Sequence, residues 1–302
     1  MARPADSLQL GAAMGGRISI PGGAVRTALR LARRQPMGTA GAVLLLAAAV
    51  AAVFADVIAP YDPLATDYAA MLAPPSAAHW LGTDDFGRDM LSRVIHGART
   101  ALVVGFASAG IGATLGLVLG VASAYFGGLF DLIFQRVLDV FMAFPLIIMA
   151  LVIVAVFGTA PAYVVAAITI PFVPRCARIV RSSALAIRTM PYVDAARALG
   201  FGHARIILRH MVPNVMAPFL VVLTAFVGQA ILLEASLSYL GLGVQEPVPT
   251  WGLMLKSGAE TYAASAPWIP IFPGLAITLT VFGCNLLGDA LRDSLDPRLR
   301  SR

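Results

Sequence analysis

Six runs of predominantly apolar residues constrain the fold of this chain more than any other feature. They cover residues 37–59, 100–126, 138–157, 162–180, 215–240 and 269–291. A helix needs roughly 20 apolar residues to cross a hydrocarbon core of about 30 Å, and each run is near that length. The alternation of about ten residues that marks a membrane-spanning strand does not recur, so a helical bundle is favoured over a β-barrel. We therefore expect an all-α polytopic membrane protein with six transmembrane helices.

The composition agrees with residence in a bilayer, because 59% of the residues are hydrophobic and only 13% are charged. Such values lie outside the range of soluble domains. The arginines cluster in the amino-terminal tail, in the loop between the fourth and fifth runs, and in the carboxyl-terminal tail. Basic residues near helix ends are retained in the cytoplasm, so we expect both termini and this loop on the cytoplasmic side of the membrane. The net charge of +6 then reflects topology and predicts no nucleic-acid partner.

This topology divides the chain into five consecutive parts. They are a flexible cytoplasmic tail 1–30, an amino-terminal transmembrane helix 31–60, an extracytoplasmic segment 61–99 with an amphipathic helix, a five-helix core 100–291 and a cytoplasmic tail 292–302. The core includes the Arg-rich loop 181–214. A polar loop of this length inside a membrane protein indicates a soluble partner.

The amphipathic helix is predicted to follow the polar stretch 82–89, with Thr83 or Asp84 accepting hydrogen bonds from its first amides. Its apolar face would hold Met90, Leu91, Val94 and Ile95, and its opposite face would hold Arg93 and His96. We therefore expect a short helix that lies on the membrane surface and leads into the second span.

The second apolar run carries a stripe of small residues. Ser108, Gly112, Gly116, Gly120 and Ala124 recur every four residues and so share one face of a helix. Small residues at this spacing let two membrane helices approach backbone to backbone. The stripe predicts close packing inside the bundle, and contact with a second membrane subunit stays the alternative.

The residue types that carry catalysis or metal binding are sparse and poorly spaced. The four histidines include no pair at i and i+4, and the two cysteines, Cys176 and Cys284, lie far apart. Neither a metal site nor a disulfide framework is predicted. The single lysine, Lys256, follows Leu255, whereas a Walker A loop needs lysine between glycine and serine or threonine. We expect no enzyme activity and no cofactor in this chain.

Uphill transport would therefore take its energy from an ion gradient or from another polypeptide. Glu234 is the only acidic residue deep in an apolar run, and no repeat relates the six runs. Ion-coupled carriers usually show charged relays and internal repeats, so an external motor is favoured and an ion-coupled carrier stays the alternative. Glu234 either hydrogen-bonds to neighbouring helices or, together with Pro145 at a kink, belongs to a translocation path or gate.

The Arg-rich loop holds the most specific motif. Residues 194–200 read Asp-Ala-Ala-Arg-Ala-Leu-Gly, and Pro213 is the thirteenth residue after Gly200. This pattern resembles the cytoplasmic EAA loop of the membrane subunits of ABC importers, with Asp194 in place of the family's usual glutamate. The stretch 210–213, His-Met-Val-Pro, is similar to the form found in the peptide and nickel branch. Three further segments resemble that branch, namely 81–89, 234–243 and 285–298.

The resemblance is to the C-type permease of dipeptide, oligopeptide or nickel ABC importers. It implies a heterodimer with a homologous B-type permease, two cytoplasmic ATPase subunits that bind ATP and magnesium, and an extracytoplasmic substrate-binding protein. The translocation path would carry di- or oligopeptides, with nickel or glutathione-like substrates as the alternative. The loop residues implied to couple the permease to the ATPase are Asp194, Ala195, Ala196, Arg197, Leu199, Gly200, Phe201, Gly202 and Pro213.

In that family the loop acts as a rigid coupling helix, and the residues here suit such a fold. We expect a short helix over 194–199, ended by Gly200 and Gly202 because glycine adopts backbone angles that other residues resist. The side chains available for a partner's groove would be Ala195, Ala196 and Leu199. A second short helix over 206–211 would pack the loop under the bundle, and Pro213 would start the fifth span.

The outer segment 245–268 is expected at the membrane boundary. Its aromatic residues Trp251 and Trp268 suit that boundary, where amphipathic rings are enriched. The segment would either contact the binding protein or anchor the interface.

Overall fold

The computed structural model describes residues 35–295, and every regular element within that range is helical. The helices are α1 (Pro36–Val53), α2 (Ala55–Ile58), α3 (Met90–Phe126), α4 (Gly128–Met142), α5 (Leu146–Phe157), α6 (Pro161–Arg188), α7 (Pro191–Ala198), α8 (His203–Ile206), α9 (Val212–Tyr239), α10 (Trp251–Thr261) and α11 (Trp268–Leu295). A 3-10 turn (Tyr68–Ala70) precedes α3, and a π-helical turn (Ile207–Met211) joins α8 to α9. The expected tail 1–30 lies outside the described residues, as do residues 296–302 of the expected tail 292–302.

Five stretches of the described residues are long and apolar enough to cross a membrane, namely α1, α3, α6, α11 and the stretch His203–Tyr239. Helices α4 and α5 pass the same test only together, and they are bent by 84°. The all-α prediction is confirmed, with six spans if the bent pair counts as one. The third run, 138–157, is divided between two helices, the first ending at Met142 and the second beginning at Leu146, beside the kink expected at Pro145. Pro145 lacks an amide proton and disfavours helical geometry in the residue before it, which explains the break.

The small-residue stripe on α3 lies against α6. A Cβ atom added at Gly112 would stand 2.9 Å from Cβ of Phe172, and one at Gly116 would stand 2.5 Å from Cβ of Cys176. A Cβ atom at Gly120 would likewise meet the backbone of α6 at 2.5 Å. These separations leave no room for a side chain, so the stripe lets the two backbones touch within this chain.

Helix α3 begins with a cap that differs from the predicted one. Asp89 is its N-cap, because Oδ2 of Asp89 accepts hydrogen bonds from the backbone N–H of Ser92 at 2.8 Å and from its hydroxyl at 2.7 Å. Thr83 and Asp84 were expected in this position. Thr83 lies six residues before Asp89 and Asp84 lies five before it, and both bond within the loop instead: the hydroxyl of Thr83 accepts from the N–H of Ala73 at 2.8 Å.

The expected surface helix before the second span is also absent from the described residues. Helix α3 runs without a break from Met90 to Phe126, so the first turns belong to the spanning helix itself. Arg93 was placed on a polar, outward face, but its residue is only 3% exposed. The amphipathic pattern was misinterpreted because the outer loops pack around these turns and cover the face that sequence periodicity assigns to water.

Candidate functional site

Helix α7 occupies the centre of the loop that carries the motif. It begins at Pro191, whose missing amide proton costs nothing in the first turn. It ends in a Schellman arrangement: the N–H of Phe201 donates to the carbonyl of Ala196 at 3.1 Å, and the N–H of Gly200 donates to that of Arg197 at 2.9 Å. Gly200 has φ +74°, the left-handed conformation that this cap requires. The expected helix break at Gly200 therefore has a defined geometry.

The two faces of α7 differ in exposure. Asp194 and Ala195 are exposed, and Leu199, which caps the helix, is 73% exposed. Val193 and Ala196 are buried, since positions three apart share the face that packs on the bundle. Ala196 was expected to be available for a partner, and that expectation is wrong. The exposed surface of α7 and its cap is formed by the remaining side chains of the motif, namely Asp194, Ala195, Arg197, Ala198 and Leu199.

The residues that follow α7 hold its end in place. Gly202 has φ −63° and ψ 155° as the N-cap of α8, angles that any residue adopts, so the break does not depend on glycine at this position. The guanidinium of Arg205 lies 4.0 Å from the ring centroid of Phe201, and the ring of His210 lies 6.3 Å from the same ring in a stacked orientation. Phe201 is therefore a packing residue rather than an outward contact.

The second half of the loop is continuous with the fifth span. A separate helix over 206–211 was expected, but α8, the π-helical turn and α9 form one helical stretch from His203 to Tyr239. Pro213 lies in the first turn of α9. A proline lacks a donor and crowds the carbonyl four residues earlier, and the wider π turn directly before it relieves that crowding.

The loop is attached to the carboxyl end of α3. The hydroxyl of Tyr125 and Nδ1 of His203 are 2.7 Å apart and share a hydrogen bond. Nη1 of Arg188 donates to the carbonyl of Ala124 at 3.0 Å. The guanidinium of Arg197, on α7, lies 5.6 Å from the centroid of the Tyr125 ring. The ends of α3 and α6 therefore lie on the same side of the bundle as the motif.

Glu234 and Pro145 occupy different environments. Glu234 is 1% exposed, and Ser238, one turn later, donates its hydroxyl proton to Oε1 at 2.7 Å. Oε2 has no hydrogen-bond partner among the described residues. Pro145 is exposed at the bend between α4 and α5. The structure therefore places Glu234 in the interior of this chain and Pro145 on its surface.

An outer ion cluster lies at the opposite end of α3. Asp84 accepts from Nε of Arg88 at 2.6 Å, and Nε of Arg93 lies 3.5 Å from the same carboxylate. Glu246, far away in sequence, lies 3.4 Å from Arg88 and 3.5 Å from Arg93. Burial and the neighbouring Asp84 carboxylate raise the pKa of Asp85 above its ordinary value. The cluster joins the loop before α3 to the loop before α10.

The two tryptophans of the segment 245–268 donate hydrogen bonds to backbone carbonyls near the amino end of α3. The indole N–H of Trp251 donates to the carbonyl of Val94 at 2.9 Å, and that of Trp268 donates to the carbonyl of Thr83 at 3.0 Å. Trp251 is only 2% exposed. Trp251 is therefore an internal packing residue of this chain.

The sequence matches two models of protein families. The model described as "binding-protein-dependent transport system inner membrane component" matches residues 112–301. The model described as "N-terminal TM domain of oligopeptide transport permease C" matches residues 24–75. The first match covers more than half of the chain. The chain belongs to this permease family.

Several named relatives align with about nine tenths of the permease. It is 46% identical over 276 residues to a putative peptide transport system permease protein of Brucella suis biovar 1, covering 91% of this chain and 92% of the relative. It is 43% identical over 269 residues to the glutathione transport system permease protein GsiD of Escherichia coli O6:K15:H31, covering 89% and 88%. It is 40% identical over 276 residues to the dipeptide transport system permease protein DppC of Alkalihalophilus pseudofirmus, covering 91% and 90%.

Family membership settles the role of the permease in energy use. It is a non-catalytic membrane subunit of an ABC importer, and ATP hydrolysis belongs to a separate subunit. The resemblance drawn from the EAA-like loop is confirmed. An external motor is therefore the source of energy, and the alternative of an ion-coupled carrier is set aside.

Sequence reasoning missed the charged contacts on the inner side. It placed the arginines after residue 180 in a loop, but α6 extends to Arg188. Asp131 of α4 accepts from Nε of Arg181 at 2.6 Å, and Asp139 pairs with Arg178. The acidic residues are eight apart and the arginines three apart, spacings that place each pair on one helix face. That periodicity could have indicated two helices facing each other.

Proposed function

We propose that this permease is the C-type subunit of a peptide importer. It pairs with a homologous B-type permease, and the two form a path for di- or oligopeptides delivered by an extracytoplasmic binding protein. Two cytoplasmic ATPase subunits bind ATP and magnesium and drive the cycle. The names of the Brucella and Alkalihalophilus relatives support peptide transport, and the oligopeptide-permease model over residues 24–75 supports the C-type assignment.

The coupling site is the exposed surface of α7. Ala195 and Leu199 present apolar atoms to solvent beside the carboxylate of Asp194, while the opposite face is fixed in the bundle. A short helix with one buried face and a capped end can transmit a movement of the ATPase to the bundle without unfolding. This arrangement is the observation that carries the proposal.

The orientation follows from the same geometry. The carboxyl ends of α3 and α6 meet the coupling loop, and the outer ion cluster lies at the amino end of α3. With the Arg-rich loop in the cytoplasm, both termini are cytoplasmic and the ion cluster faces the binding protein. The membrane is the bacterial inner membrane.

Glutathione is the second substrate candidate, because a relative 43% identical to this chain is named as a glutathione transport permease. Glutathione is itself a tripeptide, so the two candidates share peptide and carboxylate chemistry. Competition of glutathione with dipeptides during uptake by the complete complex distinguishes them.

The test of the coupling site is the substitution Gly200→Pro. Proline fixes φ near −65°, whereas Gly200 has φ +74°, so the cap cannot form and α7 loses its orientation. We expect ATP-dependent uptake in proteoliposomes to fall to background while the chain still inserts into the membrane. Co-purification of the ATPase subunits measures docking in the same preparation.

Gly202→Ala is the matched control. It changes a glycine two residues away that has ordinary backbone angles and open space around its Cα. Uptake by this variant should equal that of the unaltered complex. Full ATP-dependent uptake by the Gly200→Pro complex would contradict the coupling role of α7.

A further inference from the structure

We propose that Tyr125, His203 and Arg188 form a clamp that fixes the coupling loop to the end of α3. The loop then moves with α3 and α6 as one rigid body, and relative motion is taken up on the far side, at the π-helical turn before α9. The inference rests on the proposed function of α7 and identifies the residues that position it.

The first part of the clamp is the bond between Tyr125 and His203. Tyr125 is 6% exposed, and its hydroxyl lies 2.7 Å from Nδ1 of His203, the first residue of α8. The rings of Tyr125 and His203 meet edge to face at 5.5 Å between centroids. A buried phenol that loses its only polar partner leaves an unsatisfied hydroxyl, so this bond resists separation of the loop from α3.

The second part is Arg188, the last residue of α6. Its Nη1 donates to the carbonyl of Ala124, one of the last carbonyls of α3, which have no partner within their own helix. Gly127 makes room for this contact. It has φ +66°, and a Cβ atom there would stand 2.6 Å from Nη1 of Arg188. The carboxyl ends of α3 and α6 are thereby joined to each other directly beside α7.

The rest of the α3 and α6 pair is also joined along its length. The hydroxyl of Ser108 donates to the carbonyl of Val165 at 3.3 Å, and that of Thr169 donates back to the carbonyl of Ser108 at 3.4 Å. Together with the glycine stripe, these contacts let neither helix slide past the other. Motion given to the clamp is therefore given to both helices.

The loop is joined to α9 by a π-helical turn, which resists bending less than the clamp does. The π-helical turn Ile207–Met211 has a wider ring of hydrogen bonds than an α-helix, as in the bond from the N–H of Val212 to the carbonyl of Ile207. His210 lies in this turn, and its Nε2 is buried with no hydrogen-bond partner among the described residues. Such a turn accommodates a change of angle between the loop and α9 more readily than the clamp does.

The test measures a distance in the complete complex with its partner permease and ATPases. Spin labels at Ala204→Cys and Val118→Cys report on the loop and on α3, and both positions are exposed and lie outside the proposed coupling surface. We expect the same narrow distance distribution without nucleotide and after trapping with ATP and vanadate. A distance that changes on trapping in the otherwise unaltered complex overturns the rigid-body inference.

Tyr125→Phe removes the clamp hydroxyl and keeps the ring. We expect the distribution to broaden and radiolabelled dialanine uptake per ATP hydrolysed to fall by about fivefold, the equivalent of one hydrogen bond. Tyr163→Phe is the matched control, because Tyr163 is an exposed residue of α6 away from α7 and its hydroxyl makes no hydrogen bond to any residue in 35–295. An unchanged distribution in Tyr125→Phe overturns the role of the hydroxyl.

His203 provides a second route if Tyr125→Phe folds poorly. His203→Ala should reproduce the loss, whereas His203→Asn, which keeps a polar atom near the position of Nδ1, should restore most of the coupling. Equal coupling in both His203 variants contradicts the clamp. Absence of the ATPases from complexes of the unaltered chain would instead refute the proposed function itself, so the two failures are distinguishable.

Discussion

At the scale of single residues, the same amino acid has opposite roles on one helix. Gly116 of α3 faces α6, where a Cβ atom would stand 2.5 Å from Cβ of Cys176. Gly110 of the same helix has nothing within 4 Å of its Cβ position. Only the first is required by close packing, and the sequence spacing alone separates the two, since Gly110 lies outside the four-residue repeat.

We predict that Gly116→Ala lowers the free energy of unfolding by about 1–3 kcal/mol, because α3 and α6 must separate to admit the methyl group. The measurement is unfolding of the purified complex in mixed detergent and dodecyl sulfate micelles. Gly110→Ala is the control on the same helix and should change stability by less than about 0.5 kcal/mol. Equal effects of the two substitutions would show that the stripe does not set the distance between the helices.

At the scale of elements, α4 is a helix held mainly by charge. Most of its side chains are exposed in this chain, and only Leu138 of α4 is buried. Asp131 and Asp139 join it to Arg181 and Arg178 of α6. These pairs join α4 to α6, while α5 leaves α4 at an angle of 84°.

We predict that Asp131→Asn loosens α4 and costs about 1–3 kcal/mol, since it leaves the Arg181 guanidinium without its carboxylate. Protease cleavage within 128–142 should become faster in membranes opened to the cytoplasmic side. The exchanged pair Asp131→Arg with Arg181→Asp should recover protection.

Arg136→Gln is the control for this prediction, because the Arg136 side chain is 77% exposed and its pair with Asp139 spans 3.4 Å at the surface. Cleavage should remain slow in this variant. Slow cleavage in Asp131→Asn as well would mean that packing rather than charge holds α4.

At the scale of the whole molecule, both ends of α3 are fixed by contacts with other parts of the chain. Its outer end is held by the ion cluster and by the indoles of Trp251 and Trp268, and its inner end by the contacts of Tyr125 and Arg188. Hydrogen bonds from Arg99 and His96 of α3 also lower the pKa of Asp56 in α2. One helix of 37 residues thus joins the loops around the ion cluster to the loop that carries α7.

We predict that Trp251→Phe lowers the free energy of unfolding by about 0.5–1.5 kcal/mol, because the hydrogen bond from the buried Trp251 indole to the carbonyl of Val94 is lost. Thermal unfolding of the detergent-solubilised complex checks this. Trp80→Phe is the control, since Trp80 is 72% exposed, and its unfolding temperature should match that of the unaltered protein. If Trp251→Phe leaves the unfolding temperature unchanged, the hydrogen bond from Trp251 to Val94 does not contribute to the stability of this end of α3.

The parts that could be predicted from sequence are those governed by local patterns. Apolar run length gave the all-α membrane fold, the four-residue repeat of glycines gave the packing stripe, and the motif around Gly200 gave the family. The N-cap was wrong because Thr83 accepts from the N–H of Ala73, earlier in the chain, and Asp84 accepts from the N–H of Arg88 within its own turn. The bend in the third span lies at Pro145, where a kink was expected, but its angle of 84° could not be read from the sequence.

By itself, the sequence determined that the chain enters a bilayer as helices and belongs to an ABC permease family, because burial of apolar side chains and motif spacing are properties of contiguous residues. Only the tertiary structure decided which side chains meet. Glu246 reaches Arg88, and His203 reaches Tyr125, across 158 and 78 positions of sequence. Such pairings depend on how whole helices pack, and no local pattern encodes that packing.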